Sequence, residues 1–356
     1  MVHGIGPMLG RQLIRAFGTV QLLWSASALQ LQRIEGLGPK LIESIQAEQH
    51  GAAMQLVSLC RQQGIGILCP DDQGWPTLLA PIDDAPLVLF VRGDISHLNH
   101  DKLLAVVGAR RATHEGRGLT RRWCRYLSEQ GVGIVSGMAT GIDSAAHRGA
   151  LEGGSPTIAV LGCGLCSLTE EQQRQVEAVT AQGCVVSEFL PLIAPRPEYF
   201  PRRNRIIAGL TQATLVMEAD IKSGSLITAR QAADYGREVM AVPGSVLAGN
   251  HAGCHLLIRE GSALAESADS IMQHMSWQTY AADQKSNKRG YVPASDQEGL
   301  ILRSMAREIM HVDAIAESCG LTMPELSPIL LALELQGVVE RLPGSRYLLA
   351  VELTKK

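Results

Sequence analysis

The 356-residue sequence contains no uninterrupted apolar run of the ~18 residues that a membrane-spanning helix needs. Its first residues, MVHGIGPMLG, lack the charged and apolar regions of a secretory signal, so the expectation is a cytoplasmic protein with no membrane partner. A disulfide framework is missing as well. Cys60, Cys69, Cys124, Cys163, Cys166, Cys184, Cys254 and Cys319 are scattered along a chain without secretory signals, which argues for free thiols. Only Cys163 and Cys166 form a CxxC, and no second pair completes a zinc set, so no metal is expected. Nor is one sign of charge in excess: 32 Lys and Arg against 35 Asp and Glu leave a net charge of −3. That excludes a uniformly basic nucleic-acid protein and permits a local basic patch. A GxxxxGK[ST] loop occurs nowhere, so a bound nucleoside triphosphate is not expected, and no cofactor is assigned.

What is present is enough apolar sequence, 46%, to bury a substantial core over two or three domains. Residues 1–60 read as short helices punctuated by HGIGP (3–7) and EGLGP (35–39). A Gly-x-Gly turn between short helices is a helix-hairpin-helix signature whose exposed backbone N–H groups suit a phosphate, although glycines that only turn a small helical bundle give the same pattern.

From about residue 61 to 275 the pattern changes. LLAVVG (103–108), GIVSG (133–137), TIAVLG (157–162), CVVSEF (184–189), ATLVMEA (213–219) and EVMAVPG (238–244) are short, β-branched and bounded by Gly or Pro. Helical segments lie between most of them, so the spacing predicts an α/β, Rossmann-like domain with a parallel sheet covered on both faces, extended by the preceding residues 76–94. Residues 276–295 are polar and turn-rich and read as a linker. Helical segments near 296–308, 311–319 and 322–337, then two short strands around a Pro-Gly-Ser turn, predict a winged-helix domain over 296–356. Its expected recognition helix, TMPELSPILLALELQG, carries no cation, which favours protein contact or packing over DNA reading.

In an open parallel sheet, ligands bind beyond the carboxyl ends of the strands. The first such loop, VGARRATHEGRG, delivers Arg110 and Arg111, and Arg117, Arg121 and Arg125 follow at helical spacing as either a basic stripe or a solvated face. The second, SGMATGIDSAAHRGAL, places Ser136, Gly137 and other small residues where a backbone can approach an anion at a helix start. Asp143 and His147, four apart, form either an acid/base pair or, as the favoured reading, a capping aspartate and a structural histidine. The third, LGCGLCS with Glu188 beyond it, imitates a dinucleotide fingerprint but lacks the third glycine and continues into Glu170 and Glu171, which oppose a pyrophosphate. Then FPRRNRIIAGL packs Arg202, Arg203 and Arg205 around Asn204 behind Phe200. Finally Lys222, Ser223, Gly224 and Ser225 combine a cation, hydroxyls and a helix start, a phosphate cradle. Phosphate-compatible groups at several strand ends without a clear catalytic nucleophile suit an extended polyanion.

The runs VGARRATHEG, SGMATGIDSAAHRGAL, TIAVLGCG, FPRRNRIIAGL, KSGSLITA, GREVMAVPG and GCHLLIREGSAL, in that order over about 105–270, strongly resemble the DNA-processing protein A family (DprA, or Smf). The resemblance implies a non-enzymatic protein that binds single-stranded DNA, protects incoming strands in natural transformation and loads the RecA-type recombinase, acting as a homodimer through the Rossmann-like domain. It also implies that Arg110, Ser136, Gly137, Arg203, Asn204, Lys222 and Ser223 contact the strand, with Phe200 a stacking platform and Arg202, Arg205, Gly224 and Ser225 beside them. One of the three clustered arginines is expected to pair with an acid such as Glu218 instead. Two competing functions remain open: an enzyme cleaving a nucleotide or phosphoribosyl group with Asp143, Glu188 or Glu218 activating water, and a nucleotide sensor.

Overall fold

Each of the six β-branched runs becomes a strand of one sheet, because alternate residues of each run face helices on opposite sides and are buried there. In the computed structural model, which describes residues 4–47, 50–277, 291, 293–305, 309–342 and 344–349, the chain divides into two units, 1–280 and 281–356.

The first unit opens with five helices: α1 (Pro7–Phe17), α2 (Val20–Trp24), α3 (Ala28–Leu31), α4 (Pro39–Gln46) and α5 (His50–Gln62). Both Gly-x-Gly turns run into helices, α1 and α4, that start on proline behind a glycine N-cap. Leu13, Leu31, Ile42 and Ile45 close the small core between them. Helix α5 runs across the boundary expected at 60/61 and packs Cys60 against the sheet domain.

The sheet follows: β1 (Gly66–Leu68), β2 (Leu89–Gly93), β3 (Leu103–Val107), β4 (Gly133–Ser136), β5 (Thr157–Val160), β6 (Cys184–Ser187), β7 (Ala213–Val216), β8 (Glu238–Ala241) and β9 (Ala263–Leu264). The order is β1-β2-β6-β5-β4-β3-β7-β8-β9. Strands β3 to β9 are mutually parallel, and β2 and β1 continue the edge antiparallel. The interspersed helices are α6 (His114–Glu129), α7 (Ile142–Gly153), α8 (Glu170–Thr180), α9 (Tyr199–Gly209), α10 (Ser225–Asp234), α11 (Ala252–Arg259) and α12 (Ala268–His274). Leu104 and Val106 of β3 face α6, α7 and α12. Leu103, Ala105 and Val107 face α9, α10 and α11. Burying each such Leu or Val contributes about 1.5–3 kcal/mol, which is why β3 tolerates no polar residue. The chain builds outward from β3 to β6 on one side and returns through β7 on the other, so the order reverses between β3 and β7. A switch of this kind leaves a crevice between the two diverging loops.

Of the linker expected at 276–295, residues 278–290 and 292 lie outside the described residues, and Trp277 packs against the core of the first unit. The second unit has helices α13 (Asp296–Ser304), α14 (Val312–Cys319) and α15 (Met323–Leu335), and strands β10 (Met310–His311), β11 (Val339–Leu342) and β12 (Arg346–Leu349). The strands pair as β10-β12-β11, the sheet of a winged helix. Helix α15 buries Leu326, Leu330 and Leu333 and leaves Leu331 and Leu335 exposed.

Candidate nucleic-acid interface

The crevice at the switch point is a cleft of about 620 Å³. Its rim comes from the loop after β3, the loop after β7 and the first turns of α9 and α10. Arg110 stands exposed at the end of β3, its guanidinium 4.8 Å above the Phe200 ring. Arg111 and Lys222 are exposed on the same cleft and make no ion pair among the described residues. Helix α10 opens behind Gly224 with no side chain capping it. Ser223 and Ser225 bond each other there through their hydroxyls at 2.8 Å, and Asn204 Nδ2 donates to Gly224 O at 3.4 Å.

The arginine cluster divides by helical period. The structure starts α9 at Tyr199, so Phe200, Arg203, Asn204 and Ile207 fall at i, i+3, i+4 and i+7 and all line the cleft. Arg202 and Arg205 project from a different face. Arg205 donates to Glu188 Oε2, and Arg202 Nε lies 3.1 Å from Glu188 Oε1 and above the Phe189 ring. The arginine partner is therefore Glu188, not the expected Glu218. Glu218 accepts instead from the backbone and hydroxyl of Thr113, 2.8 Å at the hydroxyl, tying β7 to the start of α6.

Arg203 forms the floor. It is 3% exposed, and its guanidinium donates to Gly137 O at 2.7 Å and to Val160 O, bridging the ends of β4 and β5. Burial, opposed by Asp143 and reinforced by Arg110, pushes its pKa down to about 10. It remains a cation at neutral pH. Gly137 is glycine because a Cβ there meets the guanidinium at 2.5 Å. Ser136, expected to contact a ligand, is fully buried and donates to Val106 O at 2.7 Å. Asp143 accepts from Gly137 N at 3.1 Å and Ala139 N at 3.3 Å, closing the loop onto α7. Burial pushes its carboxyl up, against Arg203 and the two backbone donors. It does not pair with His147, whose Nδ1 lies 2.8 Å from Thr157 Oγ1. The structural role expected of His147 describes this geometry better than an acid/base pair, whereas Asp143 does not cap α7, whose N-cap is Gly141, but ties down the loop before it.

The glycines of the false dinucleotide fingerprint have local reasons. A Cβ on Gly162 meets the Phe200 ring at 2.9 Å, and one on Gly164 meets Leu190 O at 2.1 Å. They let α9 and the 190–191 segment lie against the sheet end. Cys163 and Cys166 are free thiols, and burial raises the Cys163 pKa.

The cleft thus gathers Arg110, Phe200, Arg203, Asn204, Lys222, Ser223, Gly224 and Ser225, while Ser136 and Arg205 are buried in the protein and Arg202 lies exposed on another face against Glu188. Gly137 acts from beneath through its carbonyl. Asn250 also lines the cleft with a buried, unpartnered Oδ1, and Asp220 accepts from Lys222 N at 2.7 Å. Asn250 follows β8, so the rule that ligands gather at strand ends reaches it, although nothing in GNHAG marks it. The three cleft acids, Asp143, Glu218 and Asp220, all accept from backbone N–H groups; Asp143 and Glu218 are buried, and the exposed charges are Arg110, Arg111 and Lys222 against Asp220.

The fold and the cleft define a Rossmann-like protein with a cation-edged switch point, followed by a winged helix. Residues 66–276 match the family described as DNA recombination-mediator protein A, 286–345 match the DprA winged helix domain, and 1–48 match a SAM-like helix-hairpin-helix tandem. The chain belongs to the DNA recombination-mediator protein A family. It is 33% identical to protein Smf of Synechocystis over 97% of this chain and 96% of that one. The crystal structure of DNA processing protein A from Streptococcus pneumoniae superposes with a TM-score of 0.63 at 32% identity, covering 76% of this chain and 98% of that one. A solved structure of DNA processing protein A from Helicobacter pylori, described for its single-stranded DNA binding mode, superposes with a TM-score of 0.53 at 27% identity over 60% of this chain and 95% of that one. No helix among the described residues is long and apolar enough to cross a membrane.

Proposed function

We propose that this protein is a recombination mediator that holds single-stranded DNA in the switch-point cleft, works in the cytoplasm as a homodimer through its Rossmann-like domain, and passes the strand to a RecA-type recombinase. One observation carries the strand-binding part: Arg110 stacked on Phe200, with Arg111, Lys222 and the uncapped start of α10 around the same 620 Å³ cleft. An aromatic face plus cations along a groove grips a strand without reading its sequence. The strand-binding relative from Helicobacter pylori and the family itself support the same reading. Asp143, Glu188 and Glu218, the carboxylates a hydrolase would use, are engaged by Gly137 and Ala139, by Arg205, and by Thr113.

The test is fluorescence anisotropy of a labelled oligo-dT against a duplex of equal length. Strand preference, with Arg110→Ala weakening binding by about 1–3 kcal/mol, supports the reading. Equal weak binding of both ligands, unmoved by Arg110→Ala, overturns it. Transfer of the strand is read separately, as faster assembly of recombinase filaments on strand pre-bound by this protein, and dimerisation as twice the chain mass in solution.

A further inference from the structure

A second cleft, of about 300 Å³, lies where α7 and α8 meet the loop after β4. That loop borders both clefts: Ala139 and Asp143 line the first, Met138 and Ser144 the second. Three features of the second cleft have no role in the first.

His147, on its wall, is 5% exposed. Thr157 Oγ1 has a single hydrogen and donates it to Ile134 O at 2.9 Å, so it accepts from His147 Nδ1–H at 2.8 Å. Nε2 is then a bare acceptor, and it is buried with no partner among the described residues. An unsatisfied buried acceptor is destabilising. The ring does not escape by taking a proton, since burial and Arg203 hold its pKa down to about 4. Met138, also on the wall, holds a φ of 54°, the left-handed region that a non-glycine residue enters only under constraint from its surroundings. Arg148 and Arg174 stand exposed on the rim, and neither makes an ion pair among the described residues.

We propose that the second cleft is a nucleobase subsite: a base enters against Met138, Leu151 and Val179, donates an N–H to His147 Nε2, and leaves its flanking phosphates to Arg148 and Arg174. The inference rests on the strand-binding reading of the first cleft. Every base carries an N–H on its pairing edge, and the apolar wall suits a base better than a sugar or a bare phosphate. Nε2 is sealed in the free protein, so a side chain of the cleft wall must shift for a base to reach it, and Met138 is the wall's flexible thioether chain. A strand seated in the first cleft would cross the 137–144 loop to place its next base here, and Glu171 on the same rim would turn away a phosphate set too deep.

The experiment uses the full chain and oligo-dT carrying one 4-thiothymidine, irradiated and mapped by peptide mass spectrometry, beside anisotropy of Ala178→Phe and Arg110→Ala. Ala178 is an exposed residue of the cleft, so the substitution fills space without entering the core or removing a charge. We expect crosslinks within 138–151 or 174–179, and binding about tenfold weaker in Ala178→Phe, the size of one base contact, at an unchanged salt slope. Crosslinks confined to the first cleft, with Ala178→Phe like wild type and Arg110→Ala weakened, overturn the subsite and leave the first cleft standing. No strand binding by wild type overturns both. Free 4-thiothymidine labelling this cleft while the oligonucleotide does not would make it an independent nucleoside site and also overturn the proposal.

Discussion

At the scale of single residues, three arginines in four positions do three different jobs. Arg203 holds two carbonyls through its Nη1, Arg205 is buried against Glu188, and Arg202 covers Phe189. Lysine ends one atom short of Nη1 and lacks the Nε–H that donates to Asn204 Oδ1, so Arg203→Lys should lower stability by about 2–3 kcal/mol in urea unfolding and weaken strand binding as well. An unchanged midpoint would show that the two carbonyls do not need it. His147 makes a pH prediction. Unfolded, it takes a proton near 6.5; folded, only near 4. Below pH 6.5 the unfolded chain therefore binds more protons, and stability falls as pH drops toward 4, by up to about 3 kcal/mol. The raised Asp143 carboxyl works the other way in the acid part of that range. Thermal unfolding from pH 7 to 4.5 should show the loss in wild type and a flatter profile in His147→Gln. None of these pairings was legible in the sequence. Glu188 and Glu218 both sit just past a strand, and only the packing of α9 selects the first. The i, i+4 spacing of Asp143 and His147 allowed a pair but favoured a structural histidine, and only the fold supplies its partner, Thr157 of the neighbouring strand.

At the scale of elements, α9 is a two-sided part. One face, Phe200 to Ile207, lines the cleft, and the other carries Arg205 to Glu188 and, at 3.9 Å, to Asp84. Asp84 also accepts from Tyr235 OH at 2.7 Å, so α9, α10 and the segment before β2 share one partly buried polar junction. Removing one partner of a buried pair leaves an uncompensated charge. Glu188→Gln should therefore lower stability by about 3 kcal/mol and change strand affinity only through α9; unfolding and binding measured together separate the two. Gly137→Ala should do the reverse. Its new Cβ displaces the Arg203 guanidinium under the cleft, so strand binding falls by more than unfolding free energy suggests. The split of α9 was within reach of the sequence, since Phe200, Arg203, Asn204 and Ile207 keep helical spacing. What hid it was the helix start, which Pro201 blurs. The strands were legible because four of the six short apolar runs end at glycine, whereas β1 and β9, three and two residues long on the edges, carry too little pattern to stand out.

At the scale of the molecule, the exposed cations are local and the net charge is −3, so long-range attraction to a polyanion is weak and salt sensitivity reports contacts in the cleft. With Arg110, Arg111 and Lys222 as phosphate contacts, the plot of log affinity against log salt should have a slope of roughly −2, and Arg110→Ala should flatten it by about 0.7. A slope near zero would remove the phosphate role. Every cleft residue lies in the first unit, so a chain ending at residue 277 should bind the strand as tightly as the full chain. A large loss would assign the winged helix, whose α15 carries no cation, a part in strand binding that the sequence of α15 argues against. The Arg203 bridge carries one more consequence, a kinetic one. Its bonds to Gly137 and Val160 close loops of 66 and 43 residues, so the cleft floor cannot exist until β4, β5 and α9 have all docked. On refolding, binding competence should return after helix content does, and on unfolding it should be the first property lost.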